Sequence, residues 1–173
     1  MENEYMALPA IRNIMERKSV RSYDSRTVEE EKIDAILRAG MAAPSGKNVQ
    51  PWELVVVSDR ARLEAMAEAL PYAKMLKDAP VAIVVAADTR KSPYWYVDCS
   101  AVTENILLAA EALGLGAVWT ATYPYRERMD VVKKECGFPQ GIDSLCVIPL
   151  GYPARDYKPR EKYDPEKIHR EVF

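Results

Sequence analysis

Two short cationic runs, Arg17-Lys18-Ser19-Val20-Arg21 and Lys158-Pro159-Arg160-Glu161-Lys162, stand near opposite ends of this sequence. The ordinary fate of a charge run is a solvated surface. A serine among arginines, however, can join them around a single phosphate through charge-assisted hydrogen bonds. A third candidate is the loop sequence "APSGKNVQPW", Ala43 to Trp52, whose Gly46-Lys47 pair suggests phosphate binding. The P-loop needs four residues between its glycines and a Ser or Thr after the lysine. Here five residues separate Gly40 from Gly46, Asn48 follows Lys47, and the loop follows a helical pattern rather than a strand. Gly114-Leu115-Gly116 resembles part of a dinucleotide fingerprint but lacks the third glycine and falls between a helix and a strand, so a helix C-cap is the better reading. The single histidine, His169, lies in a polar tail, which argues against histidine-dependent hydrolysis and His-rich metal sites.

The elements that must position these residues fit in one domain, residues 1–173, long enough to bury a real core. A net charge of −2 argues against nucleic-acid and membrane-surface partners and favours a small molecule. Cys99, Cys136 and Cys146 are odd in number and lack C-x-x-C spacing, which disfavours disulfides and zinc and suits a reducing, cytoplasmic setting. No signal-peptide pattern and no apolar run of membrane-spanning length is visible.

Helical periodicity from about Leu8 to Arg17 predicts a first helix that delivers the first basic run to a loop. Thr27 with Glu30 has the pattern of a capping box, and Ile33, Ile36, Leu37 and Met41 make one apolar face behind it. "WELVVVS" and Val81 to Ala87 read as buried strands, with a helix between them capped by Asp59, faced by Leu63, Met66 and Leu70 and ended by Pro71. Tyr94 to Leu113 is apolar in most directions and predicts a largely buried helix. "GAVWT" and "LCVIPLG" predict strands flanking a helix near Arg126 to Glu135, which Gly137 and Pro139 terminate. The polar, proline-punctuated remainder cannot pack a core of its own and should wrap something.

In order and in spacing, "RKSVRSY", "APSGKNVQPWELVVV", "AEALGLGAVWT" and "PLGYPA" followed by "KPREK" resemble the nitroreductase family of FMN-dependent NAD(P)H oxidoreductases, over nearly the whole chain. The resemblance implies an α+β fold around a mostly antiparallel sheet, in an intertwined homodimer with an extended C-terminal tail and two FMN molecules at the interface. It places Arg17, Lys18, Ser19 and Arg21 on the phosphate, the ribityl chain and the polar edge of the ring, and Arg160 and Lys162 on the phosphate. Pro44, Ser45, Gly46 and Asn48 would reach the flavin of the other subunit. Lys74 falls where some relatives place a lysine near the flavin, with Pro71 where they carry Asn. Trp119 and Thr120 join the cofactor-binding set, and the backbone of Ala121 and Thr122 matches the segment facing flavin N5, where glycine is frequent. Trp52 reads as packing, while Trp119 and Tyr123 could flank the ring.

The activity implied is a two-step reduction in which NADH or NADPH reduces the flavin and leaves, and a small aromatic or quinone-like acceptor then takes its place. The flavin carries the chemistry and no catalytic side chain is required. Related reactions on the same fold, dehalogenation or oxidation, and a non-catalytic FMN-binding module remain the alternatives.

Overall fold

The computed structural model describes residues 4–173. Five α-helices and five strands are present: α1 (Pro9–Glu16), α2 (Glu30–Met41), β1 (Trp52–Val57), α3 (Arg60–Ala69), β2 (Val81–Asp88), α4 (Trp95–Ala112), β3 (Gly116–Ala117), β4 (Thr120–Ala121), α5 (Arg126–Cys136) and β5 (Ile142–Gly151). The strands form one sheet in the order β1-β2-β5-β3, with β4 also on β5, and every ladder is antiparallel. The α+β expectation is met.

Strand periodicity sorts the core into two layers. On β2, Ile83, Val85 and Ala87 face one core with Val102 and Ile106 of α4 and Ile36 of α2. Ala82 and Val84 face the other, with Leu63 and Met66 of α3 and Val132 of α5. Buried on both faces, β2 reads as a continuous apolar run, as an interior strand should. The α2 and α4 helices approach closely at Gly40, where an added Cβ would stand 2.9 Å from Ile106 Cγ1.

Local signals decide several boundaries. Asp59 caps α3 by accepting the Arg62 N–H at 2.9 Å, and Gly137, at φ 67°, closes α5 in the left-handed conformation. The capping box expected at Thr27 is absent. The N-cap of α2 is Glu29, and its carboxylate accepts the Tyr152 hydroxyl at 2.8 Å, so a tertiary contact replaces the local cap. The single strand expected over "GAVWT" is divided into β3 and β4, although both keep one register on β5. Val118, between them, stands opposite Pro149, which has no N–H for a ladder. The carbonyl of Pro149 instead accepts the Tyr23 hydroxyl at 3.1 Å.

One helix does not complete its burial. In α1 no residue is buried, and Leu8, Ile11, Ile14 and Met15 all stand exposed, Ile14 by 50%. Among the described residues no helix is long and apolar enough to cross a membrane.

Candidate functional site

The two cationic runs meet at the open edge of β3. Ser19 bridges Ala117 in parallel, and the Val20 N–H donates to the Ala117 carbonyl at 3.0 Å. Gly116 makes the approach possible, since a Cβ there would come within 2.5 Å of Val20 Cγ1. The chain leaving β5 is fastened to the same segment. The Asp24 N–H donates to the Tyr152 carbonyl at 2.9 Å and the Ala154 N–H to the Ser22 carbonyl at 3.1 Å. Tyr157 completes the fastening: its hydroxyl shares a 2.7 Å hydrogen bond with Ser22 Oγ and accepts the Arg21 N–H at 3.3 Å. The second run is thereby turned back along the first.

The result is a cleft of about 530 Å³ lined by Arg17, Lys18, Ser19, Arg21, Arg155, Tyr157, Lys158, Arg160 and Lys162. No carboxylate is among these lining residues. Two cations are tied to α4, Arg17 to Glu104 at 3.6 Å and Lys18 to Glu111 at 2.5 Å. Among the described residues no carboxylate lies within ion-pairing distance of the other five, Arg21, Arg155, Lys158, Arg160 and Lys162. Partial burial opposes ionisation of Tyr157, yet hydrogen bonds with Ser22 and Arg155 and from the Arg21 amide bring its phenol below the ordinary value. Such a concentration of cations on a net-negative chain is a site for a multiply charged anion. It opens onto a larger cavity of about 800 Å³ that shares Arg17, Arg160 and Lys162 and takes its apolar wall from Met6, Ile14 and Met15.

The Pro44–Asn48 loop lies elsewhere. Its Gly46 N–H donates to Asp98 Oδ1 at 2.9 Å, in the first turn of α4, and the Gln50 N–H donates to Ser45 Oγ at 3.0 Å. Lys47, Asn48 and Gln50 all take positive φ, near 54°, 56° and 51°. Asn48 accepts from Gln50 Nε2 at 3.0 Å, and Asp98, 4% exposed, also accepts from Ser92 Oγ at 3.4 Å. Along α4, Asp98 is separated from Glu104 and Glu111 by about 9 and 20 Å, at 1.5 Å per residue. Within one chain the loop and the cleft therefore meet different turns of the same helix.

Other expected site residues also stand apart from the cleft. Lys74 donates to the carbonyls of Ala67 and Glu68, both at 2.9 Å, so its ammonium caps the C-terminal end of α3 and does not line the cationic cleft. Thr120 is buried and donates its hydroxyl to the Val147 carbonyl, while half-buried Trp119 packs against the core. The Thr122 N–H donates to the Leu145 carbonyl at 2.9 Å. Antiparallel alternation turns the Ala121 N–H the other way, out of the open edge of β4. Sequence reasoning missed Arg155, Tyr157 and Asp98. Period-two spacing after β5 could have found the first two, and a lone carboxylate in an apolar helix the third.

The family model "Nitroreductase family" matches residues 14–71 and 65–152. A protein of Archaeoglobus fulgidus, provisionally named an NADH dehydrogenase/NAD(P)H nitroreductase, is 45% identical over 94% of this chain and 98% of its own length. A crystal structure from Bacteroides thetaiotaomicron, under the same provisional name, has 62% identity and a TM-score of 0.94, covering 95% of this chain and 98% of that one. An FMN-dependent nitroreductase from Clostridium difficile has 32% identity and a TM-score of 0.89, over 93% and 98% of the two chains. The cation-lined edge of this α+β sheet is thus carried by a chain that belongs to the nitroreductase family.

Proposed function

We propose that this protein is an FMN-dependent NAD(P)H oxidoreductase, built as a single flavin-binding domain that works as a homodimer. The observation that carries the proposal is the cleft, in which five cations, without carboxylate partners among the described residues, surround Ser19 and Tyr157. That donor set fits a phosphate monoester dianion, which accepts several charge-assisted hydrogen bonds at once. Arg21, Arg155, Lys158, Arg160 and Lys162 would hold the phosphate, Ser19 the adjoining polar chain, and the cavity walled by Ile14 and Met15 the apolar ring. When bound, FMN supplies two-electron chemistry, taking reducing equivalents from NADH or NADPH and passing them to an electron-poor acceptor such as a nitroaromatic or quinone.

The chain's own groups bind and orient. The outward Ala121 N–H is a backbone donor at the sheet edge, and it would stabilise negative charge developing beside it. No side-chain nucleophile is called for. Burial pushes the Cys99 and Cys146 thiols up to about 12 and the Cys136 thiol up to about 11. His169 lies against Phe173 in the tail, the two rings tilted by 34° with centroids 4.1 Å apart.

The dimer is supported by two features. The apolar face of α1 lies open beside the cleft, and the Pro44–Asn48 loop, rigidly fastened to the far end of α4, has a conformation suited to serving a site other than that of its own chain. Free thiols fit a reducing, cytoplasmic setting. The purified protein should be yellow and should release flavin on heating. NAD(P)H oxidation with a nitroaromatic or quinone should give parallel double-reciprocal lines. Colourless protein that takes up no FMN would reject the reading, and intersecting lines would reject a site shared in turn by donor and acceptor. Flavin without NAD(P)H turnover would make the protein a binding module.

A further inference from the structure

Arg128, in the first turn of α5, has its guanidinium approached by two aromatic rings, and among the described residues none of its side-chain donors is in use. Its guanidinium carbon lies 3.8 Å from the ring centroid of Tyr125 and 5.3 Å from that of Tyr72. Contacts of this kind engage the π face of the cation and leave the N–H edges free. Among the described residues no carboxylate lies within ion-pairing distance of Arg128, and no acceptor takes a hydrogen bond from its side chain. Its neighbours differ. Arg126 is paired with Asp143 at 3.1 Å and with Asp130 at 3.7 Å, and Arg62 donates to the Glu135 carbonyl.

The position of Arg128 gives the free donors a use. Arg128 and Tyr72 line a small cavity together with Ala121, at the open edge of β4. β3, where the first cationic run is pinned, pairs with Leu150 and Gly151, and β4 pairs with Cys146 and Val147. Those two points lie about 13 Å apart along β5, at roughly 3.3 Å per residue. One sheet edge therefore carries the phosphate cleft at one end and an uncommitted guanidinium at the other.

We propose that Arg128, packed on Tyr125 and near Tyr72, is a specificity-determining residue that selects substrates bearing an anionic oxygen, carboxylate or phosphate, at the reactive end of the site. The inference rests on the reading of the protein as an FMN oxidoreductase. Two sources carry the required chemistry: the phosphates of the nicotinamide nucleotide, or a carboxylate on an aromatic acceptor. A planar, rigid donor fork suits either, because it binds two oxygens without further ordering.

The test uses the flavin-loaded protein, wild type and the Arg128→Ala and Arg128→Lys variants, with flavin content measured first by absorbance. NADH is varied against a fixed neutral quinone, and 4-nitrobenzoate and neutral 4-nitrobenzyl alcohol are each varied against fixed NADH. In Arg128→Ala the KM for NADH, for 4-nitrobenzoate or for both should rise on the order of tenfold or more, the loss expected for a hydrogen bond to a charged group. The neutral acceptor's kcat/KM should stay within about twofold, and Arg128→Lys should restore part of the loss. The substrate whose KM rises identifies the source. Equal shifts for the charged and neutral acceptors with an unchanged KM for NADH, or no shift in any of them, would overturn the proposal, as would loss of flavin from the variant, which would assign Arg128 to the cofactor. Wild-type protein that binds no flavin would defeat the functional reading before any kinetics, and the proposal with it.

Discussion

The cationic cleft and the Pro44–Asn48 loop are built in opposite ways. The cleft gathers side chains from segments more than a hundred residues apart, pinned together by Tyr157, Ser22 and the edge of β3. The loop is one contiguous piece whose shape comes from backbone, with three non-glycine residues at positive φ held by bonds to Asp98 and Ser45. One chain supplies every residue that lines the cleft, while the loop is fastened to the first turn of α4. In the proposed dimer, charge recognition would belong to the protomer and recognition of the rest of the cofactor to the pair.

Removing the phosphate contacts should have the largest effect. Arg21→Ala combined with Arg160→Ala is expected to weaken FMN binding by about 3–6 kcal/mol, the sum of two charge-assisted hydrogen bonds acting independently, measured by flavin fluorescence titration. The dimer should survive this change, and a Kd unaltered in the double variant would remove the cleft from cofactor binding. Ile11→Glu, on the open face of α1 but outside the lining of the ring cavity, attacks the pair instead. A buried, uncompensated charge on the open face of α1 should weaken self-association by about 3–5 kcal/mol, seen as monomer in sedimentation, with flavin lost in parallel. A dimer that persists at low protein concentration would place the interface elsewhere.

Asp98→Ala separates the two regions more finely. It leaves the Gly46 N–H without its acceptor and should cost about 1–3 kcal/mol of thermal stability and ring-half affinity, while the preference for FMN over riboflavin stays unchanged. A change in that preference would mean that the loop senses phosphate after all. The smallest effect is expected at the thiols. With the pKa values of Cys99 and Cys146 raised to about 12 and that of Cys136 to about 11, all three stay protonated at pH 8 and gain nucleophilicity only as pH climbs toward those values. Iodoacetamide at pH 8 should leave turnover intact, and rapid inactivation would assign a thiol to the site.

Much of this arrangement was legible in the residues. The apolar runs of β2 and β5, the Asp59 cap and the Gly137 stop are local signals, and all appear where the pattern puts them. The cationic runs were visible as chemistry in the residues, but only the family resemblance brought them to one phosphate, because their meeting depends on how β5 hands the tail to Tyr157. The expected cap at Thr27 gave way to a contact between Glu29 and Tyr152, residues far apart in sequence. Pro149 broke the expected strand only because register brings it opposite Val118. Lys74 matched a pattern in position, yet the nearby end of α3 offers its ammonium two carbonyls. At Thr27 and at Val118 a long-range contact outweighed a local signal.

The central claim is that the cleft recognises the phosphate of FMN, and a comparison of two ligands on two proteins tests it directly. FMN and riboflavin differ only in that phosphate, so their affinities should be measured for the wild type and for the Arg21→Ala, Arg160→Ala double variant. The wild type should bind FMN more tightly than riboflavin by on the order of a hundredfold or more, and the variant should lose most of that gap while binding riboflavin as before. An equal FMN-to-riboflavin ratio in the two proteins would contradict the account.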